Sequence, residues 1–251
     1  MINQNALTVK TNGAIEPVAQ GKFHFANVYW WNGQPNFKAL GGTMYRGGWW
    51  MGLEHVSVEN LDIEFFDYEQ LTAKSGELVD AFTAPYLEVM PLGIKRYRIL
   101  GSGREKKILE FDDYQEKSRP SLDVLVLAKG LKIPAIIRIN GTNAKRFDQS
   151  LTKAINLLTL KLKRKVLSTE FFIPIGGKNK EGTPKFETVG SDGATSTIVP
   201  VSAHGDDINE AWLKRQAAQG IDSDSMLGMI AAWLSRDSQP SVDDETGDVI
   251  P

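Results

Sequence analysis

A single helix-period stripe stands among segments of strand character, and it constrains this chain more than any other feature. Phe147, Leu151, Ala154, Ile155, Leu158 and Leu162 recur at three and four residues, which puts them on one helical face. Thr142 or Asn143 can cap the first turn. Lys145 and Lys153 lie mostly off the stripe, as do Lys161, Lys163, Arg164 and Lys165, which also suit the negative end of the helix dipole. A helix is therefore expected over about 143–165.

Before it, Val56, Val58, Ile63 and Phe65 nearly alternate, as in a half-buried strand. Tyr86 to Leu100 is a second strand candidate, whose Pro91 requires an edge or a bulge. Val124 to Leu127 and Ala135 to Ile139, joined through Lys129, Gly130 and Pro134, read as a hairpin. After the helix come Glu170 to Ile175 and Thr195 to Val201, separated by an exposed loop, Gly176 to Gly193, that holds Lys178, Lys180 and Lys185. Strands, one helix, then strands is the order of an OB-fold, a small Greek-key barrel.

The expected class is mainly β with helices (α+β), an OB-like Greek-key barrel or related antiparallel sheet over 1–205. A helical segment follows over 206–237: Asp206 to Gln219 with Gly220 as its stop, then a helix capped by Asp222 or Ser223. Trp212 and Trp233 sit on the apolar faces of these helices and read as packing anchors. Residues 238–251, with Asp243, Asp244, Glu245 and Asp248 and little to bury, read as a disordered acidic tail.

The chain has 251 residues, 41% of them hydrophobic, enough for a sizeable core. It lacks cysteine, which excludes disulfides and thiolate metal sites. No apolar run approaches the roughly 18–20 residues that cross a bilayer, and Met-Ile-Asn-Gln-Asn is not the start of a signal peptide. A cytoplasmic location is expected.

Net charge is −2, yet the charge is segregated: residues 95–185 hold 21 Lys and Arg against 9 Asp and Glu. A local field of this kind attracts phosphate even when distant acids cancel the total, although charge runs are commonly just solvated faces. Lys95, Arg96 and Arg98 run along one strand candidate, with Arg96 and Arg98 sharing a face and Tyr97 on the other. Gly101, Ser102, Gly103 and Arg104, then Lys106 and Lys107, make a cationic glycine turn suited to a backbone phosphate.

Nine of the 23 aromatic residues fall between Phe23 and Trp50, among glycines. Successive strand side chains face opposite sides, so one tryptophan of each pair, Trp30/Trp31 and Trp49/Trp50, covers the core's far side, covers a neighbouring subunit or faces solvent. Exposed rings among Trp30, Trp31, Tyr45, Trp49 and Trp50, with Arg46 beside them, would stack on bases at about 1–3 kcal/mol per base.

Catalytic readings are weaker. His24, His55 and His204 are isolated, and the glycine-rich Gly176 to Thr183 has no Lys before its Thr, unlike a phosphate loop. Asp62 and Glu64 could share a strand face and hold magnesium, which leaves a metal-dependent nuclease as the minor alternative. No enzyme activity, cofactor or metal is expected.

The chain closes in Gly247, Asp248, Val249, Ile250 and Pro251. In this and in its element order it resembles the single-stranded DNA-binding proteins of bacteria, and the related proteins of phages and plasmids, which join an OB-fold core to an acidic end closing in Ile-Pro-Phe. The final Phe, which that family inserts into partner pockets, is missing here. The resemblance implies sequence-tolerant binding of single-stranded DNA in replication or recombination, a homo-oligomer, and protein partners through the tail. RNA is an equal ligand on the residues alone. The alternative is a structural or assembly protein of a phage or mobile element, with the aromatic stretch as an oligomer interface.

Overall fold

The computed structural model describes residues 23–31, 48–72, 78–84, 86–101, 106–176, 188–189, 196–197, 208–218 and 221–236. They form a nine-stranded sheet, three helices and a separate two-residue ladder, Thr188–Val189 with Ser196–Thr197. The fold is mainly β, and the large sheet curls into a half barrel.

Its strands are β1 Ala26–Trp31, β2 Gly48–Gly52, β3 Asp67–Thr72, β4 Leu78–Ala84, β5 Tyr86–Leu100, β6 Lys107–Glu110, β7 Arg119–Ala128, β8 Ala135–Asn140 and β9 Ile173–Gly176. Their spatial order is β3-β4-β2-β1-β8-β7-β5-β6, with β9 also on β5. Neighbours are antiparallel except β1 and β8, which run parallel. Strand β5 organises one end of the sheet: it pairs with β7 on one side, and with β9 near its start and β6 near its end. The irregularity demanded by Pro91 is present, as a register shift between Pro91 and Gly93.

Helix α1, Gly141–Leu162, follows β8 directly and ends where Lys163 turns left-handed at φ 52°. It thus stops short of Arg164 and Lys165. Its cap is Asn140, and the expected capping residues Thr142 and Asn143 lie inside the first turn. The apolar stripe divides its work. Phe147, Leu151 and Ala154 pack on the sheet with Val28, Trp49, Val124 and Ile137, whereas Leu158 packs with Val166, Phe171 and Trp212.

Trp212 belongs to α2, Glu210–Gln216, whose cap Asn209 accepts from the Trp212 amide at 2.9 Å. Helix α3, Ser223–Ser235, begins at Asp222, which accepts from the Ser225 amide at 2.9 Å. Its Trp233 lies on the sheet face opposite α1, with Phe25, Leu92, Leu125 and Ile136. Both faces of the central sheet are therefore covered.

One strand expectation fails. Residues 56–65 form two short 3-10 turns, Val58–Asn60 and Ile63–Phe65, with Val58, Ile63 and Phe65 exposed. Local polar bonds compete with the ladder here: Asn60 Nδ2 donates to Ser57 Oγ at 2.8 Å, and Asp62 Oδ1 accepts from the Glu64 amide at 3.4 Å. Asp62 and Glu64 consequently do not share a strand face.

At the bulge, Gly93 leaves room for Trp233, since a Cβ there would lie 2.8 Å from Trp233 Cζ3. Gly93→Ala is expected to cost about 1–3 kcal/mol through overpacking, measured by urea unfolding. An unchanged midpoint would show that α3 does not rest on this strand.

Candidate polyanion-binding surface

The paired tryptophans of β2 point to opposite sheet faces, as alternation requires, and each meets a covered face. Trp49 is 1% exposed, stands edge-on to Trp30 at 4.9 Å between centroids, and donates from Nε1 to the Ile175 carbonyl at 3.1 Å. Trp50 is 5% exposed and packs with Tyr29, Leu71 and Ala81. Neither ring can stack on a base, which corrects the expectation placed on them. Trp30 is half-buried against the α1-side core. Only the backbone of Trp31 is described, and Tyr45, Arg46 and Arg104 lie outside the described residues.

The cations of β5 divide by face. Arg96 points toward α1 and forms a bidentate pair with Asp148, Nε to Oδ2 at 3.0 Å and Nη2 to Oδ1 at 2.7 Å. Its charge is matched within the fold, so its part is to fasten α1 to the sheet. Arg98, on the same face, donates to Ser118 Oγ at 2.8 Å and to the Ser118 carbonyl at 2.9 Å. Its guanidinium lies 4.8 Å from the ring centroid of Tyr114, which is 73% exposed. Lys107 pairs with Leu100 at the exposed end of β6, next to Lys106.

Lys95 faces the other way. Its Nζ donates to the Trp233 carbonyl at 3.0 Å and lies 4.6 Å from that indole's centroid. A cation there suits the negative end of α3. Burial lowers its pKa from the ordinary lysine value, with Asp123 opposing and Arg236 reinforcing the shift.

A second cationic surface is the outside of α1. Lys145, Gln149, Thr152, Lys153, Asn156 and Lys161 are all exposed, and Lys163 and Lys165 continue the charge beyond the helix end. Among the described residues none of these five lysines has an ion-pair partner. Asp148 is the helix's one acid, and Arg96 holds it against the sheet.

Two features set this surface apart from an ordinary solvated helix. Solvated helices gain from Glu–Lys pairs at four-residue spacing, and α1 has no glutamate. Lys145, in the amino-terminal part of the helix, also opposes the dipole, and the first turn holds no acid. Arg164 does not contribute, because its Nη2 pairs with Glu170 Oε2 at 2.5 Å. That bond, with the Leu167 amide, holds the Glu170 carboxyl below its ordinary pKa. Lys145 to Lys161 spans about 24 Å at the helical rise of about 1.5 Å per residue.

Among the described residues no group of three or more His, Asp or Glu could hold a metal ion. Among them, too, no helix is long and apolar enough to cross a membrane. No protein-family model matches this chain, and neither a curated protein nor a solved structure matches it.

Proposed function

We propose that this chain binds single-stranded nucleic acid, DNA or RNA, without sequence preference and without catalysis, through phosphate contacts along the outside of α1. The observation that carries the reading is the one-sided helix: its unpaired lysines face solvent while its acid is bonded to the sheet at Arg96. The phosphate contacts fall to Lys145, Lys153, Lys161, Lys163 and Lys165. Tyr114, backed by the Arg98 guanidinium, offers an exposed ring for base stacking. Asp112, Asp113 and Glu116 are near neighbours of Tyr114 in the chain and disfavour phosphate there, so its contact is with a base.

The curled sheet, with α1 inserted between β8 and β9, supports an OB-like reading of the fold. The assembly alternative is less favoured, because Trp49 and Trp50 are covered by their own chain and are unavailable to a neighbour.

The test is a titration of oligo-dT, its RNA counterpart and a matching duplex at low and moderate salt. The single strands should bind in a salt-sensitive manner, and the duplex more weakly. Absence of binding at low salt would reject the proposal. The acidic stretch 238–251 lies outside the described residues and is assigned the role of a competitor for the lysines. Deleting it should tighten oligo-dT binding at low salt, and unchanged affinity would remove that role.

A further inference from the structure

Opposite α1, a half-open groove of 680 Å³ lies between the β5 and β8 faces and the end of α3. Its charged lining is Lys95, Arg96, Arg138 and Arg236 against Glu110, Asp113 and Asp123. Asp123 is already occupied: it accepts from Arg138 Nε at 3.0 Å and Nη2 at 3.2 Å, and from the Tyr97 hydroxyl at 2.8 Å. Asp123 and Arg138 thus neutralise one another and Arg96 is matched by Asp148, which leaves Lys95 and Arg236 on the α3 side and Glu110 and Asp113 on the β6 side.

Both cationic residues meet at one carbonyl, Lys95 through its ammonium and Arg236 through its backbone. Trp233 O accepts from Lys95 Nζ at 3.0 Å and from the Arg236 backbone amide at 3.3 Å. The Arg236 guanidinium lies 5.1 Å from the Phe25 ring centroid and has no carboxylate partner among the described residues. Both residues line the groove, and two cations facing one cavity attract an anion into it. A guanidinium fork and an ammonium offer several donors at once to an oxyanion.

We propose that this groove binds a phosphate group between Lys95 and Arg236, at its α3 end. Glu110 and Asp113 line the groove from the β6 side and confine an anion to that end. The volume exceeds that of phosphate itself and leaves room for an attached nucleoside. The ligand class is therefore a nucleotide, either free or at the phosphorylated end of a strand. The site is separate from the α1 lysines, because Lys95 Nζ is bonded to Trp233 of α3 whereas the Arg96 guanidinium is bonded to Asp148 of α1.

Calorimetric titration of a nucleoside monophosphate, its unphosphorylated nucleoside and glutamate into the full chain tests this, in parallel with oligo-dT bearing a 5′-phosphate or a 5′-hydroxyl. The monophosphate should bind, the nucleoside and glutamate should bind far more weakly, and Arg236→Gln should weaken the monophosphate about tenfold or more. Replacing Lys145, Lys153 and Lys161 should leave monophosphate binding unchanged. A preference for the phosphorylated oligonucleotide would identify strand ends as the source, and equal binding of both oligonucleotides would identify free nucleotide.

Arg236 is exposed and follows the last helical residue, so its replacement should leave the melting temperature unchanged. Should the glutamine variant melt early, Arg236→Lys keeps the charge, removes the fork and should still bind less tightly. No monophosphate binding at millimolar concentration, or equal affinity in wild type and both Arg236 variants, would overturn the proposal whatever α1 does.

Discussion

Trp49→Ala is expected to lower the stability of this protein by about 3–5 kcal/mol, the cost of removing a large ring from a packed interior. Trp49 is 1% exposed and sits among Val28, Met51 and Ile175 on the α1 side of the sheet. Its removal also takes away the donor to the Ile175 carbonyl, a bond that ties β2 to β9 across 126 residues. That carbonyl would then lack its side-chain partner in a site too buried for bulk water. Urea unfolding should show a large drop in midpoint with little change in slope. Trp49→Phe keeps most of the apolar contact and should cost less than half as much. A loss below about 1 kcal/mol for the alanine variant would mean a ring facing solvent, where it could stack on bases.

The second large effect is on binding. Replacing Lys145, Lys153 and Lys161 together with glutamine should weaken oligo-dT binding about 100-fold at about 0.1 M salt, with the salt slope reduced by about 2. These values follow from a slope near −0.7 for each single-strand phosphate neutralised, taken over three contacts. Glutamine is nearly as good a helix former as lysine, and all three positions are exposed. Far-UV circular dichroism and urea unfolding should therefore match wild type. Arg96→Gln is the informative contrast: it breaks the Asp148 pair, loosens α1 and releases an acid near the lysine surface. Unchanged affinity and slope in the triple variant would make α1 a solvated face and move the phosphate contacts elsewhere.

Much of the local structure is legible because its causes are local. The stripe of α1, the Asp222 cap of α3 and the irregularity at Pro91 each arise from residues within a few positions of one another. The hairpin of β7 and β8 is equally local, with Gly130 at φ 85° in the connection. Where two local signals conflict, the apolar pattern alone misleads: residues 56–65 alternate like a strand, yet Ser57, Asn60 and Asp62 bond within the segment and form turns.

The candidate surface is less legible, because charge counted along a chain says nothing about which charges meet. Arg96 and Asp148 are 52 residues apart, and their pairing removes one expected phosphate contact while clearing the acid from α1. The paired tryptophans repeat the lesson: alternation requires Trp49 and Trp50 to face opposite ways, and only the packing of α1, β3 and β4 buries both faces. The sequence by itself determined the helices, the Asp222 cap of α3 and the bulge, each set by neighbours within a turn or two, and the segregation of charge along the chain. Tertiary structure alone decided which rings are buried and which cations remain free, because burial and ion pairing depend on residues brought together across the sheet.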